Sequence, residues 1–186
     1  MSNRWTPLAL EENLVQSAQT VNQPEQYLTF YLGEEIFAIN IFDVREIIEY
    51  NALTWVPMTP PLIRGVINLR GSVVPVIDLS VRLGRTPNPL TERTCIVILQ
   101  TSFQELNIEE CVAQKIGIIV DAVSEVVDIF PDQISPPPEL GSRIRIDFIR
   151  GMGKINEKFV VLLNLSRVLL RKEITVLFSS NRKEFA

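Results

Sequence analysis

Two blocks of this chain recur in the same order and at nearly the same spacing, and that recurrence limits the possible folds more than any single motif. Shifted by 86 positions, Arg64-Gly65 falls on Arg150-Gly151, and the run Val73 to Ser80 (VVPVIDLS) falls on Phe159 to Ser166 (FVVLLNLS) without a gap. Shifted by 79 positions, Asp43 to Glu49 falls on Ala122 to Asp128. Chance could supply either match. Together they predict two units of one fold, each of about 70–80 residues, near the lower size limit for a self-contained core.

Each unit reads as short strands. YLTFYLG and EEIFAIN form a pair turning at Gly33-Glu34, and RGVINLRGSVVPVIDL forms a hairpin turning near Arg70-Gly71. LTWVP, TCIVILQ and the start of CVAQKIGIIV add strands, and FIRGMGKINEKFVVLLNL repeats the hairpin. Helical spacing is predicted in four places. Ile41, Val44, Ile47 and Ile48 form an apolar stripe over 41–50, with Phe42, Glu46 and Glu49 on a second line. Val123, Val126 and Val127 form a stripe near 121–127. Ser80 to Leu83 makes one turn, stopped by Gly84, and Ser166 to Ser180 reads mostly as helix. Residues 1–26 read as a mobile polar extension and 173–186 as a C-terminal helix or tail. The segment 85–93 is a connector, and 101–110 is a long polar loop. Short strands in two groups favour small closed antiparallel barrels over an α/β sheet, because closure removes exposed edges.

Composition then narrows the function. The chain of 186 residues carries 18 basic and 22 acidic side chains, a net charge of −4 with pI about 5.0, and shows no basic stripe, which argues against nucleic acid as a partner. It has no histidine, which removes the commonest general base, the usual nucleophile-activating partner and most transition-metal sites. Cys95 and Cys111 lack metal-ligand or redox spacing, and Cys95, inside TCIVIL, is expected to be a buried small hydrophobe. No Gly-rich phosphate loop of either common kind is present. No catalytic, cofactor or metal residue is assigned. The acidic N-terminus and the lack of a long apolar run predict a cytoplasmic chain without membrane insertion.

Positions dictated by fold alone should look alike in both copies. Asp78 and Asn164, each before Leu-Ser, read as caps. The hairpin tips differ: Leu69-Arg70-Gly71-Ser72 in one unit, Ile155-Asn156-Glu157-Lys158 in the other. A turn therefore does not demand Arg-Gly, and Arg70 offers a rigid fork of five N–H donors suited to a partner's carboxylate or carbonyls. Solvent exposure of a turn arginine explains it as readily on these residues alone.

Taken together, GEEIFAINIFDVREIIEY, RGVINLRGSVVPVIDLSVRLG, IGIIVDAVSEVVDI and FIRGMGKINEKFVVLLNLSRVL resemble the CheW family of bacterial chemotaxis coupling proteins, over about Tyr27 to Leu170. The resemblance implies a mainly all-β fold of two pseudo-symmetric five-stranded Src-homology-3-like barrels with short helices. The barrels would span about 27–90 and 91–172 within a domain 27–172, and the resemblance leaves open that terminal strands cross between them. It implies a non-enzymatic adaptor joining the cytoplasmic tips of methyl-accepting chemoreceptors to the regulatory domain of a CheA-like histidine kinase, in flagellar or type IV pilus systems. Such a chain works in the cytoplasm at membrane-anchored receptor arrays, where pairing with the kinase or with itself can build rings. The alternative is a free-standing regulatory domain that tunes a kinase without touching receptors. Matched by motif, Arg70 falls on an arginine implicated in coupling. Ile41, Val44, Glu46, Arg64, Gly65 and Val73 fall on positions implicated in receptor or kinase binding, and Gly71 beside Arg70 gives a partner backbone room to approach.

Overall fold

The computed structural model describes residues 23–51, 53–59, 61–102, 113–137 and 143–169. Most of the 1–26 extension, most of the 101–110 loop, Cys111, the predicted helix beyond Leu169 and the tail lie outside them. The described residues form ten strands: β1 Glu25–Leu32, β2 Glu35–Asn40, β3 Val44–Glu49, β4 Ile63–Leu69, β5 Ser72–Asp78, β6 Cys95–Ser102, β7 Ala113–Val120, β8 Ala122–Ile129, β9 Ile149–Ile155 and β10 Lys158–Leu163. Two single-turn helices, α1 Leu79–Arg82 and α2 Leu165–Val168, follow the two hairpins.

The strands make two five-stranded sheets, ordered β8-β1-β2-β10-β9 and β3-β6-β7-β5-β4. The two orders are the same under the sequence repeat: β3 corresponds to β8, β4 to β9 and β5 to β10, while β1-β2 corresponds to β6-β7. The sheets nevertheless do not follow the halves of the chain. Each half gives two strands to one sheet and three to the other, and the joints are the parallel pairs β2 with β10 and β5 with β7 and the antiparallel pairs β1 with β8 and β3 with β6.

Strand alternation sorts the side chains into three cores. Tyr27, Ala38, Ile129, Val160 and Leu162, with Val127 and Ile155 packed on them, fill the inside of the first sheet. Val74, Val76, Ile96, Ile98 and Ile119, with Ile48 and Ile67, fill the second. Each set draws on all five strands of its own sheet, so each sheet curls around its own interior as a barrel does. The opposite faces, among them Phe30, Phe37, Ile77, Leu99, Ile118 and Phe148, meet in one core between the sheets.

The repeat extends to single hydrogen bonds. The backbone N–H of Asp78 donates to Leu62 O and that of Asn164 to Phe148 O, both at 2.8 Å. The Asp78 carboxylate accepts from Val81 N at 3.2 Å, and the Asn164 side-chain oxygen from Arg167 N at 3.4 Å, so both act as the expected caps. Gly84, at φ +82°, ends α1.

Four local expectations are corrected. Residues 41–50 are not a helix: Ile41–Asp43 form one 3-10 turn carrying the chain from one sheet to the other, and Val44–Glu49 is an edge strand paired with β6. The helical stripe expected at 121–127 is β8, paired with β1. In both, β-branched residues fit a pleat as well as a helix stripe, and tertiary pairing decides. LTWVP is irregular apart from one bridge, Thr54 to Val66, and Pro57, which has no N–H to donate, ends the segment. Cys95 is half-buried rather than buried, its thiol donating to Arg93 O at 3.2 Å.

Candidate functional site

The β4–β5 hairpin closes in two residues, Arg70 at φ +52° and Gly71 at φ +83°. The β9–β10 hairpin closes on Asn156 at φ +47° and Glu157 at φ +65°. Both are the doubly left-handed turns that match strand twist. Asparagine and glycine suit such positions, whereas an arginine there costs on the order of 1 kcal/mol of backbone strain. The Asn68 side chain steadies the turn by accepting from Gly71 N at 2.9 Å.

What the turn holds is an ion pair across the barrel. β3 and β4 are opposite edges of their sheet. From the tip of β4 the Arg70 guanidinium reaches Glu46 on β3 at 3.2 Å. The arginine side chain is 82% exposed and the glutamate 27%. A pair so open to water adds at most about 1 kcal/mol to stability. Strain and weak pairing together mean that Arg70 is not explained by folding, while most of its donors still face solvent.

The other sequence-predicted residues divide in two. Val73, 59% exposed, is the second residue of β5 beside the tip, and its repeat counterpart Phe159 is 69% exposed, so both barrels show an apolar side chain there. Arg64 is exposed on β4, at the register shift between Ile63 and Gly65. Ile41 and Val44 are half-buried and lean on the core between the sheets, while Phe42, between them, is almost wholly exposed. Gly65 is different: it is buried at φ +150°, and a Cβ there would lie 2.5 Å from Thr54 O. Its role is to let the Thr54 bridge close on β4. The structure thus gathers Arg70, Gly71, Glu46 and Val73 at one barrel end, and sets Ile41 and Val44 at the crossing between sheets.

A second polar constellation, not singled out from the sequence, lies on the first barrel. Arg150 grips Glu25 with two donors, at 3.0 and 3.1 Å, and its guanidinium sits 5.9 Å from the centre of the Tyr27 ring. Tyr27 Oη donates to Glu25 at 2.7 Å and Asn40 Nδ2 at 3.3 Å. The tyrosine hydrogen bond and Arg150 hold Glu25 below the usual carboxylate range, while burial and the adjacent Glu25 push Tyr27 up to about 12. Asn40, polar directly after the apolar run Ile36 to Ile39, was the available signal. A carboxylate with a lowered pKa stabilises the fold above its ordinary range and loses that contribution as acid protonates it. Nearby Asp43, raised by burial, works in the opposite direction. Glu25→Gln is therefore expected to be less stable than the natural chain at neutral pH. It should lose less on acidification through about pH 4, as read from urea midpoints at both pH values. Equal losses in the two chains would refute the assignment.

Among the described residues there is no cluster of three or more His, Cys, Asp or Glu placed to hold a metal ion, and no helix long and apolar enough to cross a membrane. Two fused, strand-exchanged barrels that carry their unrepeated side chains on outer ends and crossings define an interaction module. The CheW-like domain family model matches residues 26–173, and this chain belongs to that family. It is 33% identical over 160 residues to chemotaxis protein CheW of Klebsiella aerogenes, covering 86% of this chain and 89% of that one. It is 34% identical over 158 residues to a probable CheW of Rhizobium etli, covering 84% and 96%. The crystal structure of scaffolding protein TtCheW from Thermoanaerobacter tengcongensis matches with a TM-score of 0.69 at 34% identity, over 81% of this chain and 90% of that one. These likenesses support a chemotaxis adaptor role.

Proposed function

We propose that this chain is a non-enzymatic coupling adaptor. It joins the tips of methyl-accepting chemoreceptors to the regulatory domain of a CheA-like histidine kinase, in the cytoplasm beneath a receptor array. The single observation that carries the mechanism is the Arg70–Glu46 pair, strained at the turn, absent from the first barrel and too exposed to serve stability. Arg70, with Gly71, Glu46 and Val73, forms the coupling end. Arg70 exchanges its intramolecular carboxylate for a partner's, Gly71 leaves space for the partner's backbone, and Val73 supplies apolar contact. Arg64 extends the charged surface along β4, and Ile41 and Val44 border the surface at the crossing between barrels. Gly65 contributes by shaping the loop rather than by touching a partner. Small barrels suit this task because a shift at one face reaches another through a rigid core.

The test uses Arg70→Asn, which places at the tip the residue that the other barrel uses at the same backbone angles. The variant is expected to fold as well as the natural chain or slightly better. In membranes reconstituted with receptor and kinase it should reduce receptor-controlled kinase activity by roughly tenfold or more, the scale of one lost charge-assisted contact. Full control by a folded Arg70→Asn chain would overturn the role given to this end. Binding to kinase with no binding to receptor would instead make the chain a free-standing kinase regulator.

A further inference from the structure

Beside the Glu25–Arg150 pair the first barrel opens a cleft of about 490 Å³, lined by Tyr27, Asn40, Asp43, Arg150 and the segment Leu163–Ser166. Strand register identifies the equivalent positions on the other barrel. Leu162 lies opposite Ala38, and Val76, its repeat counterpart, lies opposite Gly117, so Asn40 corresponds to Ile119. Tyr27 lies opposite Asn40 as Ile96 lies opposite Ile119, and Asp43 corresponds to Ala122. The counterparts Ile96, Ile119 and Ala122 are buried apolar residues. The fold therefore does not require polarity here, yet the first barrel has it at three positions at once. The charges are also unequal. Arg150 is taken up bidentately by Glu25. That leaves the half-buried Asp43 carboxylate, which among the described residues has no ion pair of its own. Burial costs that carboxylate more than the distant pull of Arg150 returns.

We propose that this cleft receives one basic side chain, lysine or arginine, from a protein partner, with the Asp43 carboxylate as acceptor and Leu163 and Leu165 flanking the aliphatic stem. A cation is the class that restores charge balance, because one guanidinium faces two carboxylates. A long stem over an apolar floor with a charged head in a polar mouth is how such side chains bury themselves. The site goes beyond the adaptor reading: it lies on the other barrel, and Arg70 has no part in it.

The test titrates the intact, isotope-labelled chain with N-acetyl-arginine amide, and with N-acetyl-glutamine amide as the neutral control. The resonances followed are the backbone amides of Asn40, Asp43, Arg150 and Ser166. The arginine compound is expected to shift these four saturably and to bind roughly tenfold tighter than the control, and Asp43→Asn should bring it to the control's level. Equal shifts with both compounds, no localised shifts, or unchanged arginine binding in Asp43→Asn would each overturn the proposal. So would calcium chloride saturating the same resonances where the arginine compound does not. The contrast between arginine and glutamine is read on the natural chain, so it stands even where a variant folds poorly.

Discussion

Arg82→Ala is expected to lose about 3 kcal/mol or more of folding stability, the scale of leaving two carbonyl acceptors without their charged donor together with the packing lost beside it. Arg82 is 7% exposed at the C-terminal end of α1. Its side chain donates to the carbonyl oxygens of Val168 and Arg167, at the C-terminal end of α2. Its guanidinium lies 4.6 Å from the centre of the Phe148 ring, with Arg145 at 4.8 Å from the same ring. The end of a helix leaves carbonyls without intrahelical partners, and here the equivalent helix of the other repeat supplies the donor. Removal would strip the hydrogen bonds from those carbonyls and leave space beside Phe148. Arg82→Lys keeps the charge but not the fork, and should recover only part of the loss. Guanidinium chloride unfolding measures both variants, and a midpoint for Arg82→Ala within error of the natural chain would refute this account.

Gly65→Ala is expected to cost about 3 kcal/mol or more, through two effects at one atom. The backbone at φ +150° disfavours any Cβ, and the added carbon would meet a backbone oxygen, Thr54 O, at 2.5 Å, which cannot rotate away. Gly151, the repeat counterpart, calibrates the claim. There the new carbon would lie 2.5 Å from a side-chain methyl of Ile134 and 3.0 Å from Ser135 O, without the left-handed backbone. Gly151→Ala should therefore cost less, about 1–2 kcal/mol. The order of the two urea midpoints is the decisive reading. Gly65→Ala unfolding at the same midpoint as the natural chain, with partner binding lost, would make Gly65 a contact residue after all.

Several parts of this molecule were legible in its residues because they depend on neighbours along the chain. The two hairpins, the caps at Asp78 and Asn164 and the stop at Gly84 all follow from local turn and capping chemistry. The offsets of 86 and 79 showed duplication, and the failure of Arg70-Gly71 to repeat marked the tip. The segments 41–50 and 121–127 were misread because stripes of Ile and Val satisfy a helix and an edge strand alike, and only pairing with β6 and β1 separates them. The Arg150 cleft escaped notice because its parts come from four separated stretches. Asn40 and Asp43 are ordinary residues until β9 brings Arg150 beside Glu25.

The sequence alone determined that this is a duplicated, mainly β chain without histidine-based chemistry, and it singled out Arg70. These are matters of composition, period and comparison of one copy with the other. Only the tertiary structure decided how the copies share their strands, because pairing β2 with β10 and β5 with β7 joins residues more than 30 positions apart. It also decided that Arg70 meets Glu46 and Arg150 meets Glu25. A barrel closes by bringing its edges together, and no local pattern records which charges that closure sets face to face.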